Sequence, residues 1–390
     1  MTTTQTSPTL VVLQLTGGND PLNTLVPYGN PLYYDQRPTV HIPADQVLPI
    51  DHAYGFHPSM APIKPLWDQG KMAIITGIGY ANPDYSHFRS MDIWYTAQPD
   101  SMATDGWLGK LVRDLDPRAE NVLTAVSFGR GLPRALSLSG VPVASVAELD
   151  SYGLLTNLSS VAQRQAALEV FSWMYDDGWE DEGLPDASDD DANKPVGDVL
   201  RYMGQTGLDA QKGAAILRTA VDKYHSSVVY PKTSIAQSLR GIAQVKLADL
   251  GTRVFYTAHS SFDTHAAQLH VHAQLWREVS EAIAAFFEDL RQHNAAEDVI
   301  LLLWSEFGRR VRDNGSGTDH GAGGLALVLG EAVKGGMYGA QPSLRAGDLT
   351  LGNLHYTNDF RSTYSTVLER WFQVEARPIV YGNFEQFAFV

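Results

Sequence analysis

Cysteine is absent from the 390-residue chain. That excludes disulfides, thiolate zinc sites, iron–sulfur clusters and a cysteine nucleophile, and it leaves the compartment open. Basic residues are few: 29 Lys and Arg stand against 44 Asp and Glu, a formal charge of -15. A field of that sign opposes a phosphate backbone, so nucleic acid is not an expected partner. No run approaches the roughly 20 apolar residues of a membrane span. The polar, Thr-rich start from Met1 to Pro8 lacks the charged-then-apolar pattern of a signal peptide. As given, the chain reads as cytoplasmic. Nucleotide and hydrolase motifs are missing too: there is no G-x-G-x-x-G after a strand, no Walker A, no G-x-S-x-G elbow and no H-E-x-x-H helix.

What is present is a succession of short apolar runs. Leu10–Thr16 ends in Gly17-Gly18-Asn19-Asp20, and Met72–Gly77, Val122–Ser127, Thr252–Thr257, Val299–Trp304 and Leu325–Leu329 have the same shape. A buried strand followed by a Gly turn is how a parallel sheet delivers a site at its carboxyl edge. Longer helical stretches alternate with these runs, so the fold class is α/β: a doubly wound, mostly parallel sheet with helices on both faces. Helices are expected at Ser159–Tyr175, Val196–Tyr224 and Ala266–His293. In the last, Leu269, Trp276, Val279, Ile283, Phe286 and Phe287 form an apolar, core-facing stripe. Asp176–Asp198 reads as a solvated acidic loop, because Asp186–Lys194 lacks the Gly and closing Glu of a calcium loop. A single domain over 9–390 is expected, with a helical insertion at about 140–250.

Three clusters carry chemistry. After the first run, Asp20 is either a helix cap or a metal-binding carboxylate at the sheet edge. After Thr252–Thr257, Asp263 and His265 lie two apart in a loop, and carboxylate plus neutral imidazole suits zinc or manganese. His259 is a weaker addition, while His270 and His272 fall inside the helix and read as surface or packing residues. The third cluster places Glu306 at the end of a strand that is almost wholly apolar, where a carboxylate needs a partner or a cation. Arg309 or Arg310 is one candidate partner. Asp319-His320 follows in a Gly-rich loop that can fold closely around a ligand. A further stretch, Tyr85-Ser86-His87-Phe88-Arg89, offers Ser86 as a nucleophile, His87 as its base and Arg89 as a clamp for an anionic oxygen.

Taken in order, LQLTGGNDPLNTLVP, His57-Pro58, Ser86–Phe88, DGWLGK at Asp105–Lys110, FDTH at Phe262–His265, SEFGRR at Ser305–Arg310, GTDHG and GGMYG resemble the bacterial proteins classed as domain of unknown function 1501. SEFGR with GTDHG downstream is the specific part. That family is similar to the alkaline phosphatase-like superfamily of phosphatases and sulfatases. The resemblance implies metals at the carboxyl edge of the sheet: Asp263, His265 and His320 in one site, Asp20 and Glu306 contributing to a second. It also implies a twin-arginine leader in many relatives, which would make this chain an exported one if such a leader has been removed. Phe307 stands where a His often follows the late acid, which weakens the expected second site.

The expected function is metal-dependent hydrolysis of a phosphate or sulfate ester, small or polymeric. One or two divalent ions (zinc, manganese or calcium) would activate Ser86 or a water, and Arg89 or Arg309 would hold a non-bridging oxygen. A catalytically silent binding protein for a sugar or cell-surface polymer is the alternative, and an acyl or glycosyl hydrolase is a third reading.

Overall fold

The first strand, β1 (Thr9–Leu15), is buried along its whole length. Its side chains alternate between faces: Val11, Leu13 and Leu15 enter one core, Leu10 and Val12 the other. A strand covered on both faces reads as a continuous apolar run because neither face meets water. A computed structural model describes residues 7–147, 149, 163, 212–213 and 216–390.

The remaining sheet strands are β2 (Met72–Gly79), β3 (Ala125–Phe128), β4 (Ala144–Val146), β5 (Val254–His259), β6 (Val299–Trp304), β7 (Gly324–Leu329), β8 (Gly336–Tyr338) and β9 (Asn358–Asp359). Their order is β8-β2-β7-β6-β1-β5-β3-β4, with β9 also on β2. All six expected apolar runs are strands of this sheet. β1 pairs in parallel with β5 and β6, and β3 with β5 and β4. The one antiparallel member is β7, against both β6 and β2.

That reversal positions the site. β6 runs to the carboxyl edge and ends at Trp304; β7 starts at Gly324 on the same edge and runs back, Leu327 opposite Leu303. The connection 305–323 therefore stays entirely at that edge, and Glu306 and His320 are delivered together.

Helices cover both faces. On one lie α3 (Ser234–Leu247) and α4 (Gln268–Gln292), with Trp276, Val279, Ile283, Phe286 and Phe287 fully buried. Leu269 departs from the expected stripe and is 42% exposed, because in that first turn Gln268 takes the buried place and donates to Asp20. The other face carries α1 (His87–Thr96), α2 (Trp107–Leu115) and α5 (Phe360–Thr366). There Trp94 stacks on Trp304 at 4.7 Å and Trp107 on Tyr364 at 4.0 Å.

The expected helix at Ser159–Tyr175 and the acidic stretch Asp176–Asp198 lie outside the described residues, Gln163 apart. Of the expected insertion at about 140–250, the described residues include β4, the helical residues 216–223 and α3. Among the described residues, no helix is long and apolar enough to cross a membrane.

Candidate metal centre

Three loops meet at the carboxyl edge. Residue 262 donates its N–H to Thr16 O, and Thr318 N–H donates to Thr264 O, so the loops after β1, β5 and β6 are joined through their backbones. Glycine permits this approach. Gly17 has φ of +122°, and a Cβ there would lie 2.4 Å from the backbone nitrogen of Asp263. Phe262 and Thr264 are buried, which leaves Asp263 and His265 on the open side of the strand end. Arg310 N–H to Asp319 O and Gly321 N–H to Gly308 O close a hairpin that presents His320.

Arg309 holds the junction. It is fully buried and donates to the carbonyls of Gly17, Gly18 (2.6 Å), Phe262 (3.1 Å) and Thr318 (2.8 Å), and to Asp263 Oδ1 (2.6 Å). Expected as a substrate clamp, it is instead fully buried and turned onto these five oxygens, with a single Nη1 N–H lacking a partner among the described residues. Arg89 is likewise engaged elsewhere: it reaches Asp92, the carbonyls of Pro99 and Ser101, and Met102.

Around Asp263 stand three histidines with a common arrangement. His320 Nδ1 faces the carbonyl of Tyr85 at 2.8 Å, His265 Nδ1 faces Asp319 Oδ1 at 3.2 Å, and His87 Nδ1 faces Glu306 Oε1 at 2.8 Å. A carbonyl or carboxylate oxygen only accepts, so each Nδ1 carries a proton, and a bound cation would take the place of any proton on Nε2 and find its lone pair. Those Nε2 atoms converge. His265 and His320 lie 3.0 and 3.1 Å from Asp263 Oδ1 and 3.0 Å from each other; His87 lies 3.5 Å from Oδ2. Lone pairs so close repel unless a proton or a cation lies between them. The spacing is that of ligands around one ion with bonds of roughly 2.0–2.1 Å. His87, Asp263 and His320 by themselves bring one ligand atom each within 4.8 Å of the others.

Electrostatics favour an ion there. Burial works against ionising Asp263, but the hydrogen bonds from Arg309 and His320 and the Arg309 charge outweigh it and hold the carboxyl at about 2. Asp319 is lowered first by its hydrogen bond from Asn314. The hydrogen bond to Glu306 raises His87 above its ordinary value, and carboxylate support of this kind makes a ligating imidazole more basic.

The expected second site is not assembled. Asp20 is fully buried; its Oδ1 accepts from Leu22 N–H and Arg37, its Oδ2 from Arg37 and Gln268. Each oxygen already accepts twice, so Asp20 is a helix cap and ion-pair partner and has no lone pair for a metal. Glu306 pairs with neither Arg309 nor Arg310. It accepts from Gly17 N–H, His87 and Ser305, as an outer support. Ser86 precedes α1 with its hydroxyl exposed and without a partner among the described residues. His259 faces Glu278 at 3.2 Å, outside the cluster; His270 is exposed.

Sequence reasoning missed the supports: the Tyr85 carbonyl, Asp319 as a partner of His265, and the Gly17 N–H. Asp319 alone left a signal, as the acid beside His320 in GTDHG.

Beneath the loops, His57 and His272 meet edge to face, ring centroids 5.6 Å apart. His272 Nε2 faces Asn19 Oδ1, and His57 Nδ1 accepts from Ser59 N–H. Desolvation depresses both, His57 to about 4 and His272 to about 3. The unfolded chain binds protons from about pH 6.5 downward, while these two refuse them. Stability from this pair is therefore full above that pH and falls below it, approaching about 2.7 kcal/mol per pH unit between pH 6 and 4. The lowered His259 adds to the fall; the raised His87 and His293 work against it. Urea midpoints at pH 7.5, 6 and 5 should decline steeply, and a flat series would contradict a neutral buried pair.

Residues 202–380 carry a match to the family described as "Protein of unknown function (DUF1501)". The matched region contains Asp263, His265, Glu306, Asp319 and His320, but not His87. No curated protein matches the chain. Among solved structures, the chain is similar to the lipoteichoic acid synthase LtaP from Listeria monocytogenes (8% identity, 83% of this chain and 65% of that one, TM-score 0.34). A protein in the alkaline phosphatase superfamily from Vibrio parahaemolyticus also matches (9%, 86% and 63%, 0.39), as does PsFucS1 sulfatase from Pseudoalteromonas sp. (11%, 98% and 71%, 0.40). The chain thus spans slightly under two thirds of the first two. Similarity at this level leaves the chemistry to the chain's own residues.

Proposed function

We propose that the protein is a metal-dependent hydrolase of a phosphate or sulfate ester. One observation carries the reading: three imidazoles from separate segments, each tied at Nδ1 to an oxygen acceptor, aim Nε2 at the Asp263 carboxylate. Asp263, His265 and His320 would hold a divalent ion, with His87 beside them and Glu306 and Asp319 behind two of the rings. A donor set this rich in imidazole suits zinc or manganese and disfavours calcium. Such an ion supplies Lewis acidity toward an ester oxygen.

The chain's own residues supply the rest. Ser86 is the nucleophile in this reading: its hydroxyl is free, and in the chain it stands between Tyr85, whose carbonyl holds His320, and His87. It stands at the N-terminus of the ten-residue α1, where the helix dipole favours developing negative charge. Arg309 fixes Asp263, and Glu306 fixes His87.

The silent binding scaffold has one observation in its favour: Arg89 and Arg309, the expected clamps, are both engaged internally. Elemental analysis of untagged protein purified without chelators, followed by a panel of phosphate and sulfate esters, separates the readings. Near-stoichiometric zinc or manganese that is lost in His320→Ala, together with turnover on the panel, is the expected result. Metal without turnover on any ester would leave the silent scaffold standing. No metal even after incubation with excess ions would end the hydrolase reading.

A further inference from the structure

Farther along the same sheet edge lies a cleft of about 660 Å³, formed by the ends of β3, β4 and β5 and by α3 from Ser234 to Gln244. Its walls carry Arg130, Lys232 and Arg240 and no carboxylate among the described residues; Glu148 and Asp150, either side of Leu149, lie outside them. Three cations converging in a chain of charge -15 run against its overall field. Arg130 and Lys232 are exposed and have no ion-pair partner among the described residues, while Arg240 lies over the Tyr224 ring at 5.7 Å.

A second feature is independent of charge. Gln244 lines the cleft and is only 7% exposed, yet its side-chain amide has no hydrogen-bond partner among the described residues. What remains open of this residue therefore faces the cleft, where its amide can meet a ligand's oxygens. The 14-residue α3 also opens here, and its N-cap Thr233 makes no side-chain cap, leaving first-turn N–H groups free to meet an anion.

We propose that this cleft binds a sulfate or phosphate substituent of a polyanionic substrate whose scissile ester lies at the metal centre. Adjacent strands are roughly 4.8 Å apart. β3 and β4 stand two and three strands from β1, so the cleft is roughly 10–15 Å from the metal centre along one edge. A multiply charged oligomer spans that distance; a small monoester does not. The occupant's identity rests on the hydrolase reading, but the anion site does not.

The test is titration calorimetry on the full chain with a heparin-derived hexasaccharide and, separately, inorganic sulfate, in low and moderate salt. The hexasaccharide should bind, weaken at least tenfold as salt rises, and bind at least tenfold less tightly to the doubly exposed variant Arg130→Ala/Lys232→Ala. In His320→Ala, which removes the contact at the metal centre, the hexasaccharide should bind more weakly yet still lose a further tenfold when Arg130→Ala/Lys232→Ala is added, so a failure of the metal reading shows separately, as absent metal with the cleft's contribution intact. No binding at low salt, or binding untouched by the double variant, overturns the proposal. Inorganic sulfate binding as tightly as the hexasaccharide also overturns it, because the site would then serve a free anion.

Discussion

Asp263→Ala should yield a folded protein that retains no zinc or manganese and keeps less than about 1% of wild-type turnover, a loss on the order of that from removing a central electrostatic group. Oδ1 of Asp263 is the point toward which His265 and His320 aim, and Oδ2 is nearest His87. Its side chain is 44% exposed, so little packing is lost. Arg309 keeps its four carbonyl partners, and the fold should hold. Glu306→Gln is the informative contrast. Glu306 touches the cluster only through His87, so the amide should cost about 10–100-fold in metal affinity, as outer supports do, and leave measurable turnover at saturating metal. Metal titration of both variants decides between roles. Equal, complete loss in both would make Glu306 a ligand in its own right, as the sequence first suggested.

How far such roles can be seen in a sequence depends on what sets them. β6 is legible residue for residue because both its faces are buried, and Val299–Trp304 is apolar without a break. The direction of β7 is not legible: Leu325–Leu329 is as apolar as a parallel strand, and only its pairing with β2 and β6 reverses it. At the site, Asp263 and His265 declare themselves by their spacing around a buried Thr264. The joining of His87 to Glu306 across 219 residues is a product of topology that no local pattern carries. Asp20 shows the converse. Its place after a strand suits a ligand, but Arg37, 17 residues on, neutralises it, and nothing near Arg37 announces that. Arg309 reads as an exposed clamp next to Arg310, and only the three converging loops show that its partners are carbonyls.

That difference between neighbouring arginines leads to the second large effect. Arg309→Ala should lower unfolding stability by about 3–5 kcal/mol, the cost of leaving a buried charge network without its partner. Four carbonyls from three loops would lose their donor, and Asp263 would lose the cation that does most to keep it ionised. Arg310→Ala, at an exposed position, should move stability by no more than about 0.5 kcal/mol. Denaturant titration with an unchanged slope is the measurement, since a shift in midpoint alone reports stability. Arg309→Lys should rescue little, because an ammonium is a compact point charge with three donors and cannot span carbonyls held in a fork. Metal affinity should fall in step with stability across these variants, for the residue that ties the loops together also sets the distance between Asp263 and His320. If Arg309→Ala unfolded at the wild-type midpoint, the loops would be held by their backbone bonds and glycines alone. Arg309 would then be free for the substrate-binding role that its geometry now denies it.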